Sequence, residues 1–141
     1  MGVVKVLKPT EKLDLASTLE ELKKSSENIG CIVAFIGVVR GIGRNGSKVK
    51  RLEYEVYEKV AEKKMMEIAE DAERKQGVKR VDIYHYEGKR EVGEDIVYVF
   101  VAADHRENAF KTLIKVVDSV KKEVPIWKKE VTEKGEYWVE E

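Results

Sequence analysis

The stretch CIVAFIGVVRGIGRNGSKVKRLEYEVYE, Cys31 to Glu58, decides the fold. Its middle, Gly41-Ile42-Gly43-Arg44-Asn45-Gly46, spells G-x-G-x-x-G, the spacing of a dinucleotide-binding loop. Such a loop needs a strand before it and a helix after it, because the helix N-terminus holds the pyrophosphate. The strand is there: Cys31 to Arg40 is a nearly unbroken apolar run with many β-branched residues, and it reads as a central strand. The helix is not. After Ser47 the pattern has period two, with Leu52, Tyr54 and Val56 on one side and Glu53 and Glu55 on the other. That is a half-buried strand. The glycines are therefore expected to form a mobile flap between two antiparallel strands, with Asn45-Gly46 supplying a turn.

Outward from this stretch the pattern stays mixed. VVKVL, Val3 to Leu7, reads as a short strand closed by Pro9, and Leu15, Leu19 and Leu22 predict a helix near Asp14–Lys24. Ala61, Met65, Ile68 and Ala72 lie on one stripe of a helix over Glu58–Gln76, stopped by Gly77. VKRVDIYHY follows as a strand, with Val81, Ile83 and His85 on one side, and His85 is expected to pack within the sheet. EGKREVGED reads as a turn region and Asp95–Ala103 as a strongly apolar strand. The next helix carries Phe110, Leu113, Val117 and Val120 inward, with Asp104 and Glu107 spaced as a capping box. IWKKEV and EYWVE, joined around Lys134-Gly135, predict a final hairpin. Strands come in adjacent pairs, so the expected fold is α+β: a largely antiparallel sheet with helices packed on it, in one domain over residues 1–141.

The chain has 141 residues, 43% hydrophobic, enough for one packed core. Its 27 basic and 27 acidic residues cancel, which argues against a nucleic-acid binder. Cys31 is the only cysteine and His85 and His105 the only histidines, so neither an internal disulfide nor a zinc site is expected. No apolar run reaches the ~18 residues of a membrane span, and the N-terminus lacks a signal-peptide apolar region. A cytoplasmic protein without a metal or cofactor is expected.

Three stations can carry chemistry. Arg40 stands where the apolar strand leaves the core, as an anion ligand or as a solvated loop arginine. His105 and Arg106, in DHRENAF, stand at a helix N-terminus, which suits a phosphate. The plainer alternative is a capped helix start with a surface histidine. KKEVPIWKKE, Lys121 to Glu130, sets four lysines around a Pro and a Trp, and a lysine among cations has a depressed pKa. The alternative is a solvated charged face. The ~16 residues between His105 and Lys121 span ~24 Å as helix. One small ligand cannot touch both ends, so there are two sites or one pocket shared by a symmetric dimer.

Together these segments resemble the MoaE family, the large, catalytic subunits of molybdopterin synthase, over about Gly30 to Glu140. The resemblance rests on Val39-Arg40 ending the apolar strand and on DHRENAF, similar to the family's AHR-x-x-AF. It rests also on VKKEVPIWKKE followed by GEYWVE, and on YHYEGKREVGEDIVYV, similar to H-R-I-G-x-L-x-x-G-D-x-I-V-x-V. It implies a fold of the α/β-hammerhead type. It implies a sulfurtransferase that moves sulfur from the C-terminal Gly-Gly thiocarboxylate of a small ubiquitin-like subunit to cyclic pyranopterin monophosphate, making the molybdopterin dithiolene. It further implies a dimer of large subunits within a heterotetramer. Carried over by position, Lys121 and Lys128 are the catalytic residues. Arg40, His105 and Arg106 hold substrate, Lys129 and Glu130 line the site, and Val38 and Val39 contribute backbone. The competing reading is a non-catalytic dimeric module that binds a small phosphorylated ligand.

Overall fold

A computed structural model of the chain describes residues 1–139. Eight strands and three helices fall within them. The first sheet contains β1 (Val4–Leu7), β2 (Cys31–Val38), β4 (Val78–Tyr86) and β6 (Asp95–Ala103), in the order β1-β4-β6-β2. Only β1 and β4 are parallel; β4 with β6 and β6 with β2 run antiparallel. The second sheet, β5 (Gly88–Glu91), β3 (Val49–Val56), β7 (Ile126–Thr132) and β8 (Gly135–Val139), is antiparallel throughout, in the order β5-β3-β7-β8. The fold is α+β and mostly antiparallel, as expected. Glu140, which closes the GEYWVE segment, lies outside the described residues.

The apolar run of β6 follows from burial on both faces. Val99 and Val101 join Val81 and Ile83 of β4 under α2 (Glu58–Glu73) and α3 (Arg106–Glu123), with Ala61, Met65, Ile68, Ala69 and Ala72 of α2 as the cover. Tyr98, Phe100 and Ala102 face the other way, with Tyr84 and Tyr86, against Leu22 of α1 (Leu15–Lys24). Asp14 caps α1 by accepting the Ser17 N–H. A smaller cluster sets Val49, Leu52 and Tyr54 of β3 against Val39, just past β2, and Ile96 of β6.

β1 is strapped to the core by carboxylates. Glu62 accepts the Val6 N–H, and Glu73 accepts those of Gly2 and Val81. Asp82, fully buried, accepts the Val3 N–H and two bonds from the Arg80 guanidinium at 2.8 and 3.2 Å.

Four expectations change. β2 is an edge strand, not a central one, and its Ile36 and Val38 are exposed. The EGKREVGED region contains a strand, β5, which pairs with β3 between turns where Gly88 and Gly93 take positive φ. On α3 Val120 is buried and Leu113 and Val117 pack against the core as expected, but Ala109, Thr112 and Val116 are the other buried positions and Phe110 is 54% exposed. Phe110, one position beyond Ala109, is turned ~100° away. The capping box does not form: His105 is the N-cap and makes no side-chain cap bond, and Asp104 is drawn to the Gly77 turn, where its N–H donates to the Gly77 carbonyl at 2.9 Å.

Candidate functional site

A cleft of ≈ 790 Å³ opens where the two sheets meet at the C-terminal end of α3. Its apolar wall comes from Phe35 and Ile36 of β2, Val97 and Val99 of β6, and Val117 and Val120 of α3. Its polar side is cationic: Arg40, Arg44, Lys121, Lys122 and Lys128 line it. Glu123 is the one acidic lining residue among the described residues, and it pairs with Lys64 at 3.5 Å.

The local chain path explains this convergence. α3 ends when the Val124 N–H bonds back to the Val120 carbonyl, and the Ile126 N–H then bonds to the Val124 carbonyl at 2.8 Å. This tight reversal around Pro125 turns the chain into β7 and returns Lys128 toward Lys121. Trp127 lies at the rim, 47% exposed, with its ring 5.5 Å edge-on from Tyr57. Arg40 leaves the far side, just past the end of β2. A cationic cleft partly walled by hydrocarbon concentrates anions on a protein with no net charge.

Of the residues expected at a site, the structure gathers Val38, Arg40, Lys121 and Lys128 in this cleft. Val39 turns inward, 3% exposed, into the cluster with Leu52 and Tyr54. Strand alternation takes Lys129 to the other face of β7, where it pairs with Glu136 at 3.6 Å and lies over the Trp138 ring at 5.0 Å. His105 and Arg106 stand at the opposite end of α3 and line no part of the cleft.

Glu130 has a different task from lining. It is buried, and its carboxylate accepts the Arg44 N–H at 3.0 Å and the Tyr137 hydroxyl. The glycine flap is thereby tied down. Its backbone closes on itself through Gly43 N–H to Ser47 O at 2.9 Å and Gly46 N–H to Gly43 O at 3.0 Å, with Gly46 at φ +79°. A Cβ on Gly43 would lie 2.0 Å from Glu130 Oε1, so only glycine leaves room for the carboxylate. Gly43→Ala is expected to displace that carboxylate and act as Glu130→Ala does. Each should lower stability by about 1–2 kcal/mol, the cost of one or two lost hydrogen bonds. The double variant should be no worse than the worse single, since both remove the same contact. Urea denaturation of the four proteins checks this, and additive losses would contradict it.

Sequence reasoning missed Arg44, Tyr54 and His85 as cleft residues. Arg44 sits inside the loop read as a flap, and Tyr54 and His85 fit the alternation of ordinary strand residues. The Val81-Ile83-His85 register was the available signal: it places an imidazole one step beyond core Val81 and Ile83 on the same face.

A model of the MoaE protein family matches residues 9–123. The chain is similar to the molybdopterin synthase catalytic subunit of Pyrococcus abyssi, 44% identical over 116 residues, which is 82% of this chain and 78% of that one. The Bacillus subtilis molybdopterin synthase catalytic subunit is 37% identical over 117 residues, covering 83% of this chain and 74% of its own. Among solved structures, molybdopterin synthase from Staphylococcus aureus superposes with a TM-score of 0.84 at 29% identity, covering 99% of this chain and 97% of that one.

Proposed function

The chain belongs to the MoaE family, and from that premise we propose that it is the sulfur-transferring subunit of a molybdopterin synthase. Its substrate is cyclic pyranopterin monophosphate, and its sulfur donor is the C-terminal Gly-Gly thiocarboxylate of a small ubiquitin-like partner. The observation that carries this reading is the convergence of Arg40, Lys121 and Lys128 on one cleft from three separate segments. Both reactants are anions, so fixed cations hold them together and stabilise charge that builds up during transfer. Lys121 and Lys128 act on the thiocarboxylate and the reacting carbon. Arg40 holds the substrate beside them. The half-apolar wall admits the flat pterin and a narrow glycine tail. It is also proposed to work in the cytoplasm. Separately, no described helix is long and apolar enough to cross a membrane.

His105 and Arg106 complete the site from a second copy of the chain, which brings the start of its α3 to the end of its mate's. The exposed Ile36 and Val38 on edge strand β2, with Phe110 and Ile114 exposed on the helix packed beside it, support a symmetric pairing there. With one small subunit per cleft the assembly is a heterotetramer. Val39 contributes only backbone, and Lys129 steadies the hairpin of β7 and β8.

Mixed dimers test the shared site. Arg106→Ala and Lys121→Ala should each be inactive as purified dimers. Refolded together in equal amounts they should regain about a quarter of wild-type activity, because half the dimers are hybrids and each hybrid has one intact site. A mixture no more active than its parents, or a fully active Arg106→Ala, would count against the shared site.

A further inference from the structure

One polar group in the cleft is not used by the reaction as described above. His85 is the penultimate residue of β4 and is 6% exposed, and it lines the cleft. Its Nδ1 lies 2.7 Å from the Tyr86 carbonyl oxygen, a bond that only a protonated Nδ1 can donate. In the neutral ring Nε2 is therefore bare and can only accept. Among the described residues nothing donates to it. Nor is it sealed in the core: among the described residues, the buried side-chain atoms without a hydrogen-bond partner are Ser47 Oγ and Asp104 Oδ1. Nε2 thus opens toward the cleft.

The surroundings keep the ring in this state. Tyr54 packs edge-on at 5.0 Å and fixes its plane. Burial depresses the His85 pKa to about 4; the Tyr86 bond opposes this shift and the Lys128 charge adds to it, so the ring is neutral at pH 7. The other polar side chains of the cleft are mostly donors. Arg40, Arg44, Lys121, Lys122 and Lys128 have no acceptor atom, Glu123 is paired with Lys64, and the Tyr54 hydroxyl, which can donate as well as accept, is the other polar group on the wall. A phosphate suits those cations. A nitrogen heterocycle also has N–H groups, and these need an acceptor.

We propose that His85 Nε2 is that acceptor: it takes a hydrogen bond from a ring or amino N–H of the pterin and sets the heterocycle's orientation, while the cations take the phosphate. His85 is then a substrate-positioning residue that discriminates an N–H-bearing heterocycle from other phosphorylated compounds. This assignment rests on the sulfur-transfer reading.

The first measurement uses wild-type protein with ¹⁵N-labelled histidine, its His85 resonances identified by their loss in His85→Phe. Long-range proton–nitrogen correlation at pH 7 should show a protonated Nδ1 and a bare Nε2. Saturating cyclic pyranopterin monophosphate should move the Nε2 resonance toward the protonated range. An Nε2–H tautomer, or an Nε2 signal unmoved at saturation, overturns the assignment. In the second, titration calorimetry follows His85→Phe, which keeps an aromatic ring beside Tyr54 and removes the acceptor. Pyranopterin affinity should fall about ten-fold, the loss expected from one hydrogen bond, while affinity for the partner's thiocarboxylate tail stays unchanged. His85→Gln, which restores an acceptor, should recover most of the loss. A His85→Phe protein that melts like wild type and binds pyranopterin equally well overturns the assignment alone, provided wild type makes dithiolene. A wild type that makes none overturns this assignment and the sulfur-transfer reading together.

Discussion

Lys121→Ala is expected to cut dithiolene formation at least ~100-fold, the range seen when one preorganised charge-stabilising group is removed from a reaction centre. The fold should hardly register the change. Lys121 is an exposed residue in the last turn of α3, and among the described residues its structural contribution is its place at the negative end of the helix dipole. Such an interaction contributes about 0.3–1 kcal/mol. Lys128→Ala should act in the same direction, because the turn at Pro125 sets both lysines on one cleft. Single-turnover assays with preformed thiocarboxylate separate this effect from weakened partner binding. If the protein only bound a phosphorylated ligand at the start of α3, Lys121→Ala would leave its function largely intact, and that result would count against a catalytic role.

Asp82→Ala is expected to be the most damaging single change to stability, at about 3–5 kcal/mol. That is the cost of removing one partner of a buried ion pair. Asp82 is fully buried, while Arg80 is 12% exposed at its side chain and bonds the carboxylate through two nitrogens. The same carboxylate accepts the Val3 N–H. Its loss would strand the guanidinium and release the strap that holds β1 against β4. Guanidinium chloride denaturation should show the midpoint falling, with amide exchange rising first in Val3 to Leu7. A midpoint within experimental error of wild type would mean that Arg80 finds water and that the strap carries little weight.

Much of this fold was legible because period and burial coincide. β6 coincides with its apolar run and β4 with the Val81-Ile83-His85 alternation, and the Ala61-Met65-Ile68-Ala72 stripe is the buried side of α2. The departure at Phe110 on α3 has a physical cause. Hydrophobicity alone points Phe110 inward with Leu113, Val117 and Val120, which do pack on the core, yet the helix turns Phe110 ~100° from buried Ala109. β2 was taken for a central strand because apolar content registers a demand for burial, not which chain satisfies it. β5 was missed because its four residues, Gly88-Lys89-Arg90-Glu91, carry no strand pattern and are ordered by pairing with β3.

The site was legible in part for similar reasons. Arg40, Lys121 and Lys128, expected from motif and chemistry, line one cleft, and their roles in it are the proposal. The role of Glu130 was not visible locally: it braces a loop 86 positions away in sequence. Glycine content suggested a mobile flap, whereas Gly43 is needed to admit the carboxylate that holds the loop in place. The opening G-x-G-x-x-G spacing thus marks a braced turn that presents Arg44 to the cleft.

The central claim, that this chain transfers sulfur to a pyranopterin, has a direct test. The purified protein is mixed with a small partner bearing a C-terminal Gly-Gly thiocarboxylate and with cyclic pyranopterin monophosphate, and the product is assayed for dithiolene. Molybdopterin should form, with thiocarboxylate consumed in step, and Lys121→Ala should abolish it. A folded complex of chain and partner that binds the pyranopterin and yields no dithiolene would contradict the claim.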